Sequence, residues 1–144
     1  MVRQGYETLE FGAALANEPA RIDDARTALL RDPNSPATDY WRYSYVARGQ
    51  YAEQLAPWIE QLGRDRVMVV RSEDYRSNPA PVYGSVTTFL GISAVVPAKF
   101  TVTHSTSPLV VDPQIDIQLR QHFEPHNAAL RTLLNTDIRW DRPR

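Results

Sequence analysis

A chain of 144 residues with a net charge of −1, 42% hydrophobic residues and 23% charged residues has the composition of an ordinary folded domain rather than a disordered tail. We therefore expect one domain, residues 1–144, with a hydrophobic core of its own. The sixteen basic residues are interspersed with seventeen acidic ones and form no basic tract, which argues against a nucleic-acid-binding surface. The sequence has no cysteine, which excludes disulfide bonds and thiolate metal sites.

The hydropathy pattern predicts a cytoplasmic protein without a membrane segment. No apolar run approaches the ~20 residues that a membrane-spanning helix needs. The opening MVRQGYETLE also lacks the apolar core of a signal peptide.

Two of the three histidines, His122 and His126, are four residues apart, a spacing that can place two metal ligands on one face of a helix. Pro125 lies between them, and no HExxH-type general base accompanies them. We expect a capping or surface role for this pair, and no metal site in the chain.

The N-terminal segment predicts two short helices separated at Pro19. Phe11 and Leu15 fit the first helix, and Ile22 and Leu29 fit the second at helical spacing. The following stretch RDPNSPATDYWRYSY has the turn-forming composition of a loop, and its four aromatic residues indicate that this loop is packed.

An amphipathic helix is predicted to follow Gly49 and to end near Gly63. Pro57 lies inside this segment and predicts a kink or a restart, because proline removes one backbone donor. The apolar stripe of the helix falls at i, i+4, i+7, i+8 and i+11 and consists of Tyr51, Leu55, Trp58, Ile59 and Leu62.

The run Val-Met-Val-Val at 67–70 predicts a strand buried on both faces, which is typical of parallel sheets covered by helices. The order helix, strand, helix is the repeat unit of an α/β protein, and we predict that fold class. Since a sheet needs several strands, either further strands lie in the aromatic loop and in KFTVT, or the chain is part of a larger sheet. Glu73 and Asp74 follow the strand, where such sheets bind ligands, although capping of the next turn is the favoured role.

Two more helices are predicted in the C-terminal half. The first contains Val82 and Val86 and stops at Gly91. The last begins near Asp112 or Pro113 and bends at Pro125. We assign to the core five large apolar residues: Leu55, Trp58, Phe89, Leu90 and Trp140.

The motifs disfavour a nucleotide enzyme that is complete within this chain. With only six glycines, the sequence contains neither a GxGxxG nor a GxxxxGK[ST] phosphate loop, and it has no GxSxG nucleophile elbow. The run Thr-His-Ser-Thr-Ser at 103–107 offers donors that suit a phosphate, although such a run is more often a solvated loop.

The order of segments resembles that of a known enzyme family. The stretch YVARGQYAEQLAPWIEQLGRDRVMVVRSEDYRSNPAPVYGSVTTFLGI is similar to the C-terminal half of the sulfotransferases that use 3′-phosphoadenosine 5′-phosphosulfate (PAPS), in the branch of the heparan sulfate enzymes and their bacterial relatives. The shared pattern is an RGxYxxQLxxW helix, a Val-rich strand, a Glu-Asp pair, an Asn-Pro dipeptide and a helix ending in FLGI. The later stretch FEPHNAALRTLLNTDIRW and the opening GYETLEFGAALANEPARI are similar to that family as well.

The resemblance implies a partial P-loop-like fold that is predominantly helical around a small parallel sheet remnant. It implies transfer of a sulfuryl group from PAPS to a hydroxyl or amine of a carbohydrate-like or small-molecule acceptor, without a metal. By position, the family's turn over the nucleotide 3′-phosphate corresponds to Phe100, His104, Ser105 and Thr106, where HSTS replaces the usual Lys-Gly-Arg. Arg48 and Tyr51 correspond to a region near the acceptor cleft, and helix packing is an equal alternative for Tyr51.

The family's phosphosulfate loop and catalytic base belong to its N-terminal half, so the resemblance leaves the catalytic residues unknown. We expect the chain to be active only with such a donor-binding half, and its partners to be that half or a second copy. The alternative is a non-catalytic relative that acts as an interaction or nucleotide-binding module. We expect no nucleic-acid or membrane partner.

Overall fold

The computed structural model describes residues 6–93, 95, 97–101 and 110–137, and across these residues the regular structure is helical. Within the described ranges six α-helices follow one another: α1 (Phe11–Arg31), α2 (Thr38–Tyr43), α3 (Tyr51–Leu62), α4 (Ser72–Ser77), α5 (Pro79–Phe89) and α6 (Pro113–Leu134). Single 3-10 turns at Ala47–Gly49 and Arg64–Arg66 precede and follow α3.

The predicted helix ends are confirmed where the sequence supplies a specific capping residue. Gly63 after α3 and Gly91 after α5 have positive φ angles of 85° and 66°, a conformation that glycine adopts without a steric cost. Asp112 caps the start of α6, where its Oδ1 accepts from the backbone N–H groups of Gln114 and Ile115 at 2.7 and 3.4 Å.

The predicted break at Pro19 is wrong, because α1 is continuous there, whereas the bend predicted at Pro125, and the kink predicted at Pro57 as the alternative to a restart, stay predictions. α1 is one helix of 21 residues that contains Pro19, and α6 is one helix of 22 residues that contains Pro125. α3 likewise contains Pro57 without restarting. All three prolines are exposed. In α1 the hydrogen bonds and the buried positions on either side of Pro19 keep the helix together, although the proline lacks one donor.

The predicted aromatic loop contains the short helix α2, which packs against α1. Asp39 lies in its first turn, where a negative charge is favourable, and the Ser44 hydroxyl donates to the Tyr40 carbonyl at its end. The packing prediction holds only in part, because Trp41 is 61% exposed.

The helices group into two compact units, and the boundary between them falls inside α3. The first unit comprises the residues up to Gln54 and those from Val111 onward. Its buried apolar residues come from α1, α2's preceding loop, α3 and α6, namely Ala14, Ile22, Ala37, Ala52, Leu130 and Leu134. The second unit comprises Leu55–Val110 and contains α4 and α5.

The predicted sheet remnant is not confirmed, since no β-strand is present in the part of the chain that the structure describes. Residues 67–70 follow a 3-10 turn, and Val69 and Val70 are 37% and 41% exposed. A strand is defined by its backbone pairing to a neighbour, and no neighbouring strand is supplied by the described residues of this chain.

Three of the five core assignments are wrong for this chain. Trp58, Phe89 and Leu90 are 60%, 42% and 59% exposed, whereas Leu55 is partly buried. The helical spacing identified an apolar stripe correctly, but these described residues offer no second layer that covers it. Trp140 lies outside the described residues.

No helix among the described residues combines the length and the apolar character needed to cross a bilayer.

Candidate functional site

The turn at residues 46–51, which we call the RGQY turn, is held in place by a buried carboxylate on α1. Glu18 is 3% exposed, and its two carboxylate oxygens accept from the backbone N–H groups of Val46 and Ala47 at 2.7 and 2.8 Å. Hydrogen bonds to an ionised group are stronger than neutral ones, and both carboxylate oxygens are engaged. Glu18 therefore fixes the start of the turn relative to α1.

The glycine of the RGQY turn is required by a close approach of α6. A Cβ atom added at Gly49 would lie 2.6 Å from Cε1 and 2.7 Å from Cζ of the Phe123 ring. Real Cβ atoms essentially never come that close to a ring, so only glycine fits this position without movement. The turn is thus packed between α1 and α6 in the first unit.

The two residues predicted at the acceptor side, Arg48 and Tyr51, both lie on the exposed surface of this turn. The Arg48 guanidinium donates to the Trp41 carbonyl, and its Cζ lies 5.9 Å from the centre of the Trp41 ring. Tyr51 begins α3 and is 53% exposed. Arg48 is therefore oriented by α2, whereas about half of the Tyr51 surface is open to solvent.

Gln50 brings together the two histidines of α6. Its amide nitrogen lies 3.4 Å from Nε2 of His122 and 3.4 Å from Nε2 of His126. His126 Nδ1 lies 3.3 Å from Glu53 Oε1. In both contacts, whether the imidazole nitrogen donates or accepts depends on the tautomer of the ring. Among the described residues no group of three or more His, Asp or Glu side chains has an arrangement that could hold a metal ion.

A second buried carboxylate, Glu7, joins α1 to the segment after α2. Glu7 Oε2 accepts from the Tyr45 hydroxyl at 2.5 Å and from Arg21 Nη1 at 2.7 Å, and Oε1 accepts from the Leu9 N–H at 2.8 Å. These hydrogen bonds, that of Tyr45 first, lower the pKa of Glu7 to about 2. Burial, followed by the hydrogen bond to Glu7, raises the pKa of Tyr45 to about 12. The Arg21 guanidinium also lies 4.6 Å from the centre of the Tyr43 ring.

A pocket of about 520 Å³ opens beside the RGQY turn in the first unit. Its walls come from α1, the start of the turn and the first half of α6. A volume of this size lies in the range of small-molecule sites. The lining residues are Gly12, Leu15, Ala16, Glu18, Pro19, Ile22, Asp23, Arg26, Val46, Ala47, Gln50, Ile115, Gln118, Leu119 and His122.

The residues predicted at the nucleotide side belong to the second unit. The Phe100 ring packs edge-on against Tyr75 and Tyr83, with ring centres 6.5 and 6.0 Å away. His104, Ser105 and Thr106 lie outside the described residues. Phe100 and the residues of the RGQY turn therefore fall in different units.

The acidic pair Glu73 and Asp74 lies in the first turn of α4. Asp74 Oδ1 is 3.6 Å from Arg71 Nη1, and Glu73 accepts from the Ser72 hydroxyl at 3.3 Å. These local contacts agree with the favoured role of the pair at a helix start.

Glu18 was missed by the sequence analysis, although the sequence holds a signal for it. Ala14, Glu18 and Ile22 are spaced by four residues and are the buried positions of α1. A carboxylate at an apolar position of a helix has to find donors, and a search for such positions identifies Glu18. The pocket itself has no comparable signal, because its walls come from segments far apart in the sequence.

A model of the sulfotransferase domain family matches residues 21–107, which is more than half of the chain. The chain belongs to the sulfotransferase domain family. This finding confirms the family resemblance of the sequence, and the match includes the RGQY turn and all of the second unit's helices.

Two individual relatives agree with this family. Over 98 residues the chain is 26% identical to the membrane-associated sulfotransferase kil1 of Dictyostelium discoideum, and the match covers 68% of this chain and 21% of that protein. It also resembles the crystal structure of a sulfotransferase from Alicyclobacillus acidocaldarius with a TM-score of 0.63 and 28% identity, over 95% of this chain and 47% of that one. The chain thus spans about a fifth of the first relative and about half of the second.

Proposed function

We propose that this chain takes part in the transfer of a sulfuryl group from PAPS to a hydroxyl or amine acceptor. The observation that carries the proposal is the family match over residues 21–107. In such a transfer the acceptor oxygen or nitrogen forms a bond to sulfur, the bond between sulfur and the 5′-phosphate oxygen breaks, and the acceptor proton leaves to a base. The role of the protein is to position the two reactants and to stabilise the negative charge that develops.

Two sets of residues are proposed to contact the two reactants. Arg48 and Tyr51 contribute to the acceptor side, and their exposure on the RGQY turn makes both side chains accessible to a ligand. Phe100, His104, Ser105 and Thr106 contribute to the nucleotide side, as the positional resemblance to the family implies. Hydroxyl groups and exposed backbone N–H groups are suitable partners for a phosphate.

Donor binding, we propose, depends in large part on a segment that these 144 residues do not contain. The sequence has no glycine-rich phosphate loop, and the chain spans 47% of the solved sulfotransferase that it resembles. The exposed apolar side chains of the second unit support this division, because Trp58, Val69 and Phe89 would be covered by a further layer. That segment is either an N-terminal half or a partner chain.

The test is a transfer assay on the protein expressed together with the segment encoded on the 5′ side of the Met1 codon. Transfer of labelled sulfuryl from PAPS is measured against a panel of hydroxyl and amine acceptors. We expect an in-frame phosphate loop in that segment, transfer when it is present, and a loss of about tenfold or more in Arg48→Ala, because a charged contact to a reactant is removed.

The matched control for Arg48→Ala is Arg31→Ala, an exposed arginine at the end of α1. Its transfer rate should equal that of the unmodified protein. A folded protein that is completed by its upstream segment or by its partner chain and transfers sulfuryl to none of the acceptors would refute the proposed function.

A further inference from the structure

We propose that His122, His126 and Gln50 form a binding site for a divalent transition-metal ion of the zinc class, which ties the RGQY turn to α6. The inference goes beyond the proposed function and does not rest on it. The site is structural, because its ligands join two elements of the first unit and none of them is assigned to a reactant. The spacing of the histidines, the position of the amide and a carboxylate behind one ring carry the inference.

The two histidines lie on one face of a helix. His122 and His126 belong to α6, which is helical from Pro113 to Leu134, so residues four apart are neighbours on its surface. Their ring centres are 5.1 Å apart, and the ring planes are inclined by 34°. Two imidazoles bound through Nε2 at about 2.1 Å to one tetrahedral ion have ring centres about 5 Å apart. The observed separation of the rings therefore matches a shared ion.

Gln50 supplies a third ligand from the RGQY turn. Its amide nitrogen lies 3.4 Å from Nε2 of His122 and 3.4 Å from Nε2 of His126. Two ligands that are each about 2.1 Å from a tetrahedral ion are about 3.4 Å apart, so the amide lies at ligand distance from both rings. The amide nitrogen and oxygen exchange places when the group turns over, which brings Oε1 to the ion. Since His122 is exposed, water can take the fourth position.

Glu53 provides the outer contact that metal-bound histidines commonly have. Its Oε1 lies 3.3 Å from Nδ1 of His126. When the ring hydrogen is on Nδ1 and is donated to this carboxylate, Nε2 of His126 keeps its lone pair and becomes a stronger ligand. Imidazole nitrogens suit zinc, nickel and copper ions, whereas magnesium and calcium ions prefer oxygen ligands. The donor set therefore selects the zinc class.

The sequence pattern argues against a metal at this pair for two reasons that do not apply to a structural site. Pro125 separates the histidines in the sequence, but α6 is one helix through this residue. A general base of the HExxH type is needed only for catalysis by the metal. The third ligand, Gln50, is 72 and 76 positions away from the histidines and is not visible in their local sequence. No third His, Asp or Glu among the described residues completes the set, so the amide has this role.

The test is a calorimetric titration of the purified chain, free of any histidine tag, with zinc chloride. We expect saturable one-to-one binding that an excess of magnesium chloride does not weaken. Proton–nitrogen NMR of the imidazole groups locates the ion. The ring signals of His122 and His126 should shift on addition of zinc, whereas those of His104, the remaining histidine, should not.

Two pairs of variants provide matched comparisons. His122→Ala removes an exposed ligand and should weaken zinc binding about tenfold or more, whereas His104→Ala should leave the affinity unchanged. Gln50→Glu replaces the amide oxygen by a carboxylate, a better zinc ligand, and should tighten binding about tenfold. Gln121→Glu adds the same charge beside His122, but adjacent helix positions do not face each other, so its effect should be below about threefold.

Four results would overturn the inference: no saturable zinc binding by the folded chain, an affinity that His122→Ala leaves unchanged, zinc-induced shifts confined to His104, or equal effects of Gln50→Glu and Gln121→Glu. The last result would mean that the ion does not reach the RGQY turn. The experiment contains neither PAPS nor an acceptor, so its failure and the failure of the proposed function are separate outcomes.

Discussion

The carboxylate of Glu7 shows how a single residue can link three parts of the first unit. It accepts hydrogen bonds from Tyr45, Arg21 and the Leu9 backbone, and it is 8% exposed. Nothing in the local sequence GYETLE distinguishes Glu7 from Glu10, which is exposed at the start of α1. The difference arises from tertiary contacts that join residues 14 and 38 positions apart.

These contacts predict a specific dependence of stability on pH. The pKa of Glu7 is lowered from 4.5 to about 2 on folding, so its ionised form favours the folded state. This contribution is fully present above about pH 4.5 and is lost as the pH falls through about 2. Urea denaturation across this range should show that Glu7→Gln removes part of the fall in stability.

The control for this measurement is Glu10→Gln, which should retain the pH dependence of the unmodified protein. Identical pH profiles for Glu7→Gln and the unmodified protein would show that the folded carboxyl of Glu7 is not specifically stabilised. Tyr45 has the opposite pH dependence, because its pKa is raised from 10.0 to about 12 on folding. Its contribution to stability is present below about pH 10 and is lost as the pH rises through about 12.

At the scale of elements, a substitution at Gly49 tests how tightly the RGQY turn packs against α6. Gly49→Ala would place a methyl group 2.6 Å from the Phe123 ring, so the ring or the turn has to move. Overpacking of this kind should lower the free energy of unfolding by about 1 to 3 kcal/mol, measured by chemical denaturation.

Gly84 in α5 offers the opposite case as a control. A Cβ atom at Gly84 would have no neighbour within 4 Å, and the residue is inside a helix. Gly84→Ala should therefore raise the stability of the helix by about 0.5 to 1 kcal/mol, because alanine is the better helix former. A Gly49→Ala variant as stable as the parent would mean that the approach of Phe123 is not a constraint.

Elements were predicted from the sequence most accurately where one residue determines a boundary. Gly63, Gly91 and Asp112 each act through their own backbone conformation or side chain, so their effect is visible without knowledge of the fold. Pro19 was misleading, because the packing of a 21-residue helix outweighs the loss of one hydrogen bond. The run at 67–70 has the composition of a strand, but pairing depends on partners that its own residues cannot specify.

The candidate site was predictable only in its exposed part. Arg48 and Tyr51 were identified through family resemblance, and both are accessible on the turn. Glu18 and Gln50 were not identified, because their roles depend on contacts with residues 28 to 76 positions away. The four-residue spacing with Ala14 and Ile22 signals the burial of Glu18, but the partners of both residues are set by the tertiary fold.

At the scale of the whole molecule, the exposed apolar stripe predicts an unusual pattern of mutational effects. Trp58 is a large aromatic residue on a regular helical stripe. If it were in the core, Trp58→Ala would lower the free energy of unfolding by about 3 to 5 kcal/mol. Since Trp58 is 60% exposed, we instead expect a loss below about 1 kcal/mol in this chain.

Leu130 provides the comparison, because it is 3% exposed in the first unit. Leu130→Ala should cost about 2 to 5 kcal/mol in the same denaturation experiment. If Trp58→Ala were as costly as Leu130→Ala, Trp58 would be covered in solution, for example by a second copy. If Trp58→Ala lowers the free energy of unfolding only in the protein that also contains the donor-binding segment, that result would support the proposal that this segment covers Trp58.

The first unit is built from two stretches of the chain that are far apart in the sequence, and this has a consequence for biosynthesis. Gln50 meets His122 and His126 across separations of 72 and 76 residues, and the pocket needs both α1 and α6. A ribosome synthesises the chain from the N-terminus. The whole second unit is therefore synthesised after α1 and the RGQY turn and before α6. During that interval α1 and the turn lack the α6 surface that they contact in the folded unit.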